Sequence, residues 1–251
     1  MNSVLIRFYE ELNDFLPRDK KKTTFSCTFQ GNPSVKDLIE SLGVPHVEVD
    51  LILVNSESVD FNYKVKNEDN ISVYPVFESL DITGVTHLRE KPLRVIKFIL
   101  DEHLGKLAKY LRLCGFDTLI STGYTDHDII RISATEKRII LTRDRQLLKN
   151  KRVTHGYWIR SDNAGEQVRE VFTRLDLKDM TEPFTRCIEC NSLLAEVKKE
   201  EIEDRLLPGT KKYYKDFKKC TGCDRIYWEG SHYERMKDMI EQITNSTINH
   251  K

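Results

Sequence analysis

Two kinds of residue in this 251-residue chain have the types and spacing for chemistry: paired cysteines and aspartates that follow apolar runs. Cys187 and Cys190 form CIEC, and Cys220 and Cys223 form CTGC, with 29 residues between the pairs. A C-x-x-C turn presents both sulfurs to one point. Two such turns supply the four thiolates of a tetrahedral Zn²⁺ site, with bonds of about 2.3 Å. Four cysteines leave no open coordination position, so the spacing predicts a structural zinc that does no catalysis itself. Cys27 and Cys114 stand alone in strand-like or apolar contexts, and the pattern as a whole favours metal over disulfide.

The aspartates are the second group. LRVIKFIL runs straight into Asp101, RIILT is followed by Arg143 and Asp144, HGYWIR by Ser161 and Asp162, and Asp126 and Asp128 open DHDII. In open α/β sheets the ligand site lies beyond the carboxyl ends of the strands. Carboxylates gathered there repel one another unless a cation neutralises them, and all-oxygen donors suit Mg²⁺ or Mn²⁺. Such an ion activates water and stabilises charge on a phosphodiester in hydrolysis. Asp126 and Asp162 are equally good helix N-caps, a plainer use of the same residue. Asp101 and Asp144 are harder to explain that way, because each closes a strongly apolar strand.

Basic residues stand beside these acids. Arg143 and Arg145 flank Asp144, and Lys106, Lys109 and Arg112 recur at three-residue spacing along one side of a helix, opposite Leu104, Leu107, Leu111 and Cys114. They suit phosphate contact, or simply a solvated face. Between the cysteine pairs, KKYYKDFKK offers Tyr213 and Tyr214 for stacking on unpaired bases among lysines; Tyr213, Tyr214 and Phe217 are each open to either stacking or packing, and Tyr227 and Trp228 are expected to pack around the metal. Net charge is zero, but residues 86–180 hold 19 Lys+Arg against 13 Asp+Glu, which suits a polyanionic partner such as RNA.

The elements that must position these groups divide into three. SVLIRFY and TTFSCTF read as a hairpin, GNPSVKDLIESLG as a helix capped by Ser34, and LILVN and NISVYPVF as two further strands. This β-β-α-β-β order predicts a β-grasp domain over residues 1–85. It resembles the ubiquitin-like sulfur carriers in fold but lacks their terminal Gly-Gly, so a contact surface for a protein or RNA, or simply a packing partner, is expected instead. After a polar linker with Gly84 and Pro92, strands and helices alternate over residues 93–180, predicting a parallel sheet covered on both faces. Residues 183–235 read as a zinc ribbon. The expected fold class is therefore α/β and multi-domain.

The stretches KFILDEHLGKLAKYLRLCGFDT, DHDII, RIILTRDRQLL and YWIRSD, with a ribbon ending in YWEGSHYERM, resemble the PIN-like RNase family named for the C-terminal domain of mutator-class exonucleases. The preceding ubiquitin-like domain matches the usual prokaryotic architecture of that family, so the resemblance covers essentially the whole chain. It implies ribonuclease activity with Asp101, Asp126 or Asp128, and Asp144 as the matching acids. His127 departs from the pattern, standing where acidic residues are common.

Composition fits a globular protein, with 39% hydrophobic and 32% charged residues, and no apolar run approaches the roughly 20 residues needed to span a bilayer. A cytoplasmic protein is expected. The expected activity is divalent-metal-dependent RNA cleavage. Its rivals are a non-catalytic RNA- or ribosome-binding protein and an adaptor docking a partner through the β-grasp domain.

Overall fold

The computed structural model describes residues 1–75, 95–120, 123–230, 233–234, 238 and 241–242. The linker with Gly84 and Pro92, and the ends of three expected strands at 76–77, 93–94 and 121–122, lie outside the described residues. Two compact units emerge, one of Met1–Val95 with Ile130–Trp158, the other of Ile96–Ile129 with Ile159–Lys251.

In the first unit, β1 (Asn2–Phe8) and β2 (Phe25–Phe29) pair antiparallel, as the alternation of SVLIRFY and TTFSCTF predicts. Helix α1 (Val35–Ser41) follows. The Ser34 side chain accepts the Asp37 backbone N–H at 3.1 Å, and the Asp37 carboxylate accepts the Ser34 N–H at 3.2 Å, a reciprocal capping box. β3 (Val49–Val54), β4 (Glu57–Ser58) and β5 (Asn70–Pro75) complete a mixed five-stranded sheet in the order β2-β1-β5-β3-β4, with β1 parallel to β5. Alternate residues Val4, Ile6 and Phe8 face α1 and bury Leu38 and Ile39 in one core with Ile52, Ile71 and Val73. This is the ubiquitin-like fold.

Strand and helix then alternate: β6 (Lys97–Leu100), α2 (Gly105–Leu113), β7 (Asp117–Ile120), α3 (Asp126–Glu136), β8 (Ile139–Thr142), α4 (Arg145–Leu148), β9 (Gly156–Trp158) and α5 (Ala164–Leu175). β6 pairs parallel with β7 in the second unit, and β8 pairs parallel with β9 in the first. Phe98, Ile99, Leu100, Ile140, Leu141 and Thr142 are all buried, which is why these strands read as continuous apolar runs.

The expected strand HGYWIR stops early, at Trp158. Beyond it the Arg160 and Ser161 backbone N–H groups donate to the two oxygens of Glu170 on α5, at 2.9 and 3.3 Å, instead of to a neighbouring strand. Asp162 therefore does not close a strand. Nor does it cap α5, because Asn163 takes that position, its side chain accepting from Gly165 N and Glu166 N.

The last segment carries β10 (Leu194–Val197), α6 (Pro208–Tyr213), β11 (Phe217–Cys220) and β12 (Ile226–Trp228). The three strands form an antiparallel sheet, β10-β11-β12. Among the described residues no helix is long and apolar enough to cross a membrane.

Candidate metal centre and strand-end aspartates

Cys187 and Cys190 sit in the turn before β10, Cys220 closes β11, and Cys223 lies in the turn between β11 and β12. Their four sulfurs lie within 4.8 Å of one another, and this is the one such group of three or more candidate ligands found among the described residues. Cys187 Sγ is 3.6 Å from Cys223 Sγ, and Cys190 Sγ is 3.3 Å from Cys220 Sγ, near the edge of roughly 3.8 Å that four zinc–sulfur bonds would impose. Backbone N–H groups point at the sulfurs: Cys190 N at Cys187 Sγ (3.5 Å), and Gly222 N and Cys223 N at Cys220 Sγ (both 3.4 Å). Gly222 has no room for a side chain, since a Cβ there would lie 2.2 Å from Ser192 Oγ.

Two of the thiols, those of Cys190 and Cys223, are driven in opposite directions. At Cys190 burial opposes ionisation, but hydrogen bonds from Ser192 and the neighbouring cysteines outweigh it and draw the thiol down to about 6. At Cys223 the Arg225 backbone favours the thiolate, yet burial and the three other thiols push it up to about 12. A divalent cation removes that mutual penalty. The donor set fits zinc in a closed, structural site. The Tyr227 hydroxyl lies 3.0 Å from Cys187 Sγ; burial and that contact raise its pKa, so it remains protonated and able to donate to the sulfur.

The first cysteine turn is fastened to α2 and β7. Arg112, 5% exposed, donates to the carbonyls of Thr118 (2.9 Å), Ile188 (3.1 Å) and Glu189 (2.7 Å). Lys109 Nζ pairs with the Glu189 carboxylate at 2.8 Å. Asn191 accepts the Thr118 N–H at 2.9 Å and donates to Asp117 at 2.8 Å. Gly115 is backed so closely by Glu182 that a Cβ would meet its carbonyl oxygen at 2.3 Å. The basic stripe on α2 is thus divided: Arg112 is withdrawn from phosphate contact by three carbonyls, Lys109 is engaged by Glu189, and Lys106 is exposed. Asn191 and Glu189 were not singled out by sequence; their only signal was position, Glu189 inside CIEC and Asn191 directly after it.

The aspartates are distributed as follows. Asp101 directly follows β6 and caps the next turn, its Oδ1 accepting from His103 N at 3.0 Å. Asp144 stands two residues past β8 and caps α4 in the same way, accepting from Gln146 N at 2.7 Å. Asp126 is the exposed first residue of α3 and not its cap. That position belongs to Thr125, whose hydroxyl accepts from Asp128 N at 3.2 Å while the Asp128 carboxylate accepts from Thr125 N at 3.1 Å. Asp101, Asp126, Asp128 and Asp162 belong to the second unit and Asp144 to the first.

Around Asp144, Arg143 is exposed, whereas the Arg145 guanidinium lies 3.9 Å from the Trp158 ring centre and 5.2 Å from that of Phe15. On the ribbon, Phe217 is buried and Tyr214 half-buried, while Tyr213 is 72% exposed with Lys212 Nζ 5.3 Å from its ring centre. Trp228, expected to pack around the metal, is instead 37% exposed at the end of an edge strand.

A sequence family described as Mut7-C RNAse domain matches residues 96–240, and one described as Mut7-C ubiquitin matches residues 1–81. No curated protein and no solved structure matches the chain.

Proposed function

Because the chain belongs to the Mut7-C RNAse domain family, with the ubiquitin-like domain of that family ahead of it, we propose that it is a ribonuclease cleaving RNA phosphodiester bonds with a divalent cation. The observation that carries this reading is the matched placement of Asp101 and Asp144. Each follows a buried parallel strand, and each spends one carboxylate oxygen on the N–H two residues ahead. An ionised carboxylate has about four acceptor sites, so at Asp144 capping leaves room for a cation. Capping also fixes the direction of the carboxylate, which Mg²⁺ with its strict octahedral demand requires.

In the second unit Asp101 is the principal candidate ligand, with Asp126 or Asp128 a further one and Asp162 an outlying one; in the first unit the candidate ligand is Asp144. Asp126 is the better placed of that pair, because the Asp128 carboxylate is committed to the α3 capping box. Mg²⁺ or Mn²⁺ held there would supply an activated water and charge stabilisation at phosphorus. Arg143 and Lys106 neutralise phosphates of the bound strand, and Tyr213 stacks on an unpaired base.

The zinc-loaded full chain should cleave single-stranded RNA with Mn²⁺ or Mg²⁺ and stop on chelation by EDTA. RNA binding without metal-dependent cleavage would favour a non-catalytic RNA-binding protein instead.

A further inference from the structure

Resting on that reading, we propose that the ubiquitin-like domain positions Asp144 for cation binding through Trp158. In the first unit, Trp158 packs against the core of the ubiquitin-like domain, its ring centre 5.0 Å from that of Phe15. Its backbone N–H donates to Glu48 Oε1 at 2.7 Å, and Glu48 is fully buried. Two residues of the same domain therefore fix Trp158 in position and in rotation. His46 adds a further tie, with Nε2 3.0 Å from the Val153 carbonyl and Nδ1 2.6 Å from Glu40.

Trp158 in turn holds both neighbours of Asp144. Its indole Nε1–H donates to the Arg143 carbonyl at 3.2 Å, fixing the peptide that leads into Asp144. The Arg145 guanidinium lies over the Trp158 ring, with the Phe15 ring beside it, fixing the residue that leads out. Asp144 N also donates to Thr142 Oγ1 at 2.9 Å. A loop residue is thereby held at both ends by an aromatic side chain that the ubiquitin-like domain anchors. Groups that orient a ligand without touching the ion set its affinity, and Phe15, Glu48, Trp158 and Arg145 stand in that relation to Asp144. They are positioning residues. A domain free to present itself to a partner would not need a buried glutamate directed at the backbone of β9.

The test uses the zinc-loaded full chain and two readouts: Mn²⁺ binding without RNA, followed by the paramagnetic resonance of free Mn²⁺, and the Mn²⁺ dependence of RNA cleavage. Phe15→Leu removes the ring but keeps bulk; Phe15→Tyr keeps the ring; Arg145→Lys keeps the charge but loses the planar stack. Phe15→Leu and Arg145→Lys should each weaken Mn²⁺ binding about 10-fold, the lower end of what outer-shell partners cost, and raise the Mn²⁺ needed for half-maximal cleavage in parallel. Phe15→Tyr should bind as the parent does. Parental Mn²⁺ affinity in folded Phe15→Leu and Arg145→Lys would overturn the positioning role. Asp144→Asn separates this from the functional reading, since parental Mn²⁺ affinity in that variant would remove Asp144 from the metal site altogether. If Phe15→Leu does not fold, Arg145→Lys, at the half-buried first residue of α4, carries the test.

Discussion

The Arg112 guanidinium donates to the Glu189 carbonyl across 2.7 Å, tying α2 of the RNase domain to the first cysteine turn. A buried cation with three carbonyl partners is costly to remove, because three carbonyls lose their donor, that of Thr118 in a buried place and those of Ile188 and Glu189 in half-buried ones. Arg112→Met should therefore lower stability by about 3 kcal/mol in a denaturant titration, yet leave the salt dependence of RNA binding unchanged. A reduced salt slope in that variant would return Arg112 to the phosphate contacts.

Zinc should be present at one ion per chain, and Cys187→Ser or Cys220→Ser should lose it. Since the first turn holds Thr118 and Arg112, the loss should reach beyond the ribbon. Hydrogen exchange should quicken in α2 and β7 as well as in β10 to β12. Exchange confined to the ribbon strands would mean that the contacts at Arg112 and Asn191 persist without metal.

The two remaining cysteines should differ in reactivity. Burial pushes Cys114 up to about 12, so at pH 8 only about one molecule in ten thousand carries its thiolate, and the group is enclosed as well. Cys27 is half-exposed and raised by burial against the opposing pull of Lys20. Alkylation of the native zinc-loaded protein at pH 8 should mark Cys27 slowly and Cys114 only after unfolding, as read by peptide mass. For both thiols the raised pKa means that reaction speeds up as pH rises.

Tyr213 is the aromatic on the ribbon best disposed to meet a base. Tyr213→Ala should weaken binding of single-stranded RNA by about 1 to 3 kcal/mol without altering the melting temperature, whereas Phe217→Ala should destabilise the ribbon. Equal RNA affinity for parent and Tyr213→Ala, measured by fluorescence anisotropy, would assign this ring to idle surface.

Much of this architecture was legible in the sequence because its signals are local. The cap at Ser34 rests on a partner three residues away, and the apolar runs IILT and KFIL declare strands buried on both faces. The two C-x-x-C pairs declare their convergence through ligand chemistry. What was not legible depends on partners far along the chain. Helical periodicity placed Arg112 on a polar stripe, but the carbonyls that bury it lie 76 and 77 residues away. Asp162 looked like a strand end because the competing acceptor, Glu170, belongs to the following helix. Trp158 read as one more strand residue, and its role appeared only with Phe15 and Glu48 beside it, 110 residues from the latter.

The most direct measurement is RNA cleavage by Asp144→Asn with Mn²⁺, alongside Asp101→Asn, the double variant and thermal melts of each. Replacing a carboxylate by an amide keeps size and leaves an oxygen to accept the cap N–H, but removes the charge that holds a cation. Each single variant should remain folded and lose cleavage sharply, and the double variant should lose little more, as ligands acting as one unit do. Cleavage by folded Asp144→Asn at the parental rate would contradict a metal-dependent ribonuclease built on the strand-end aspartates.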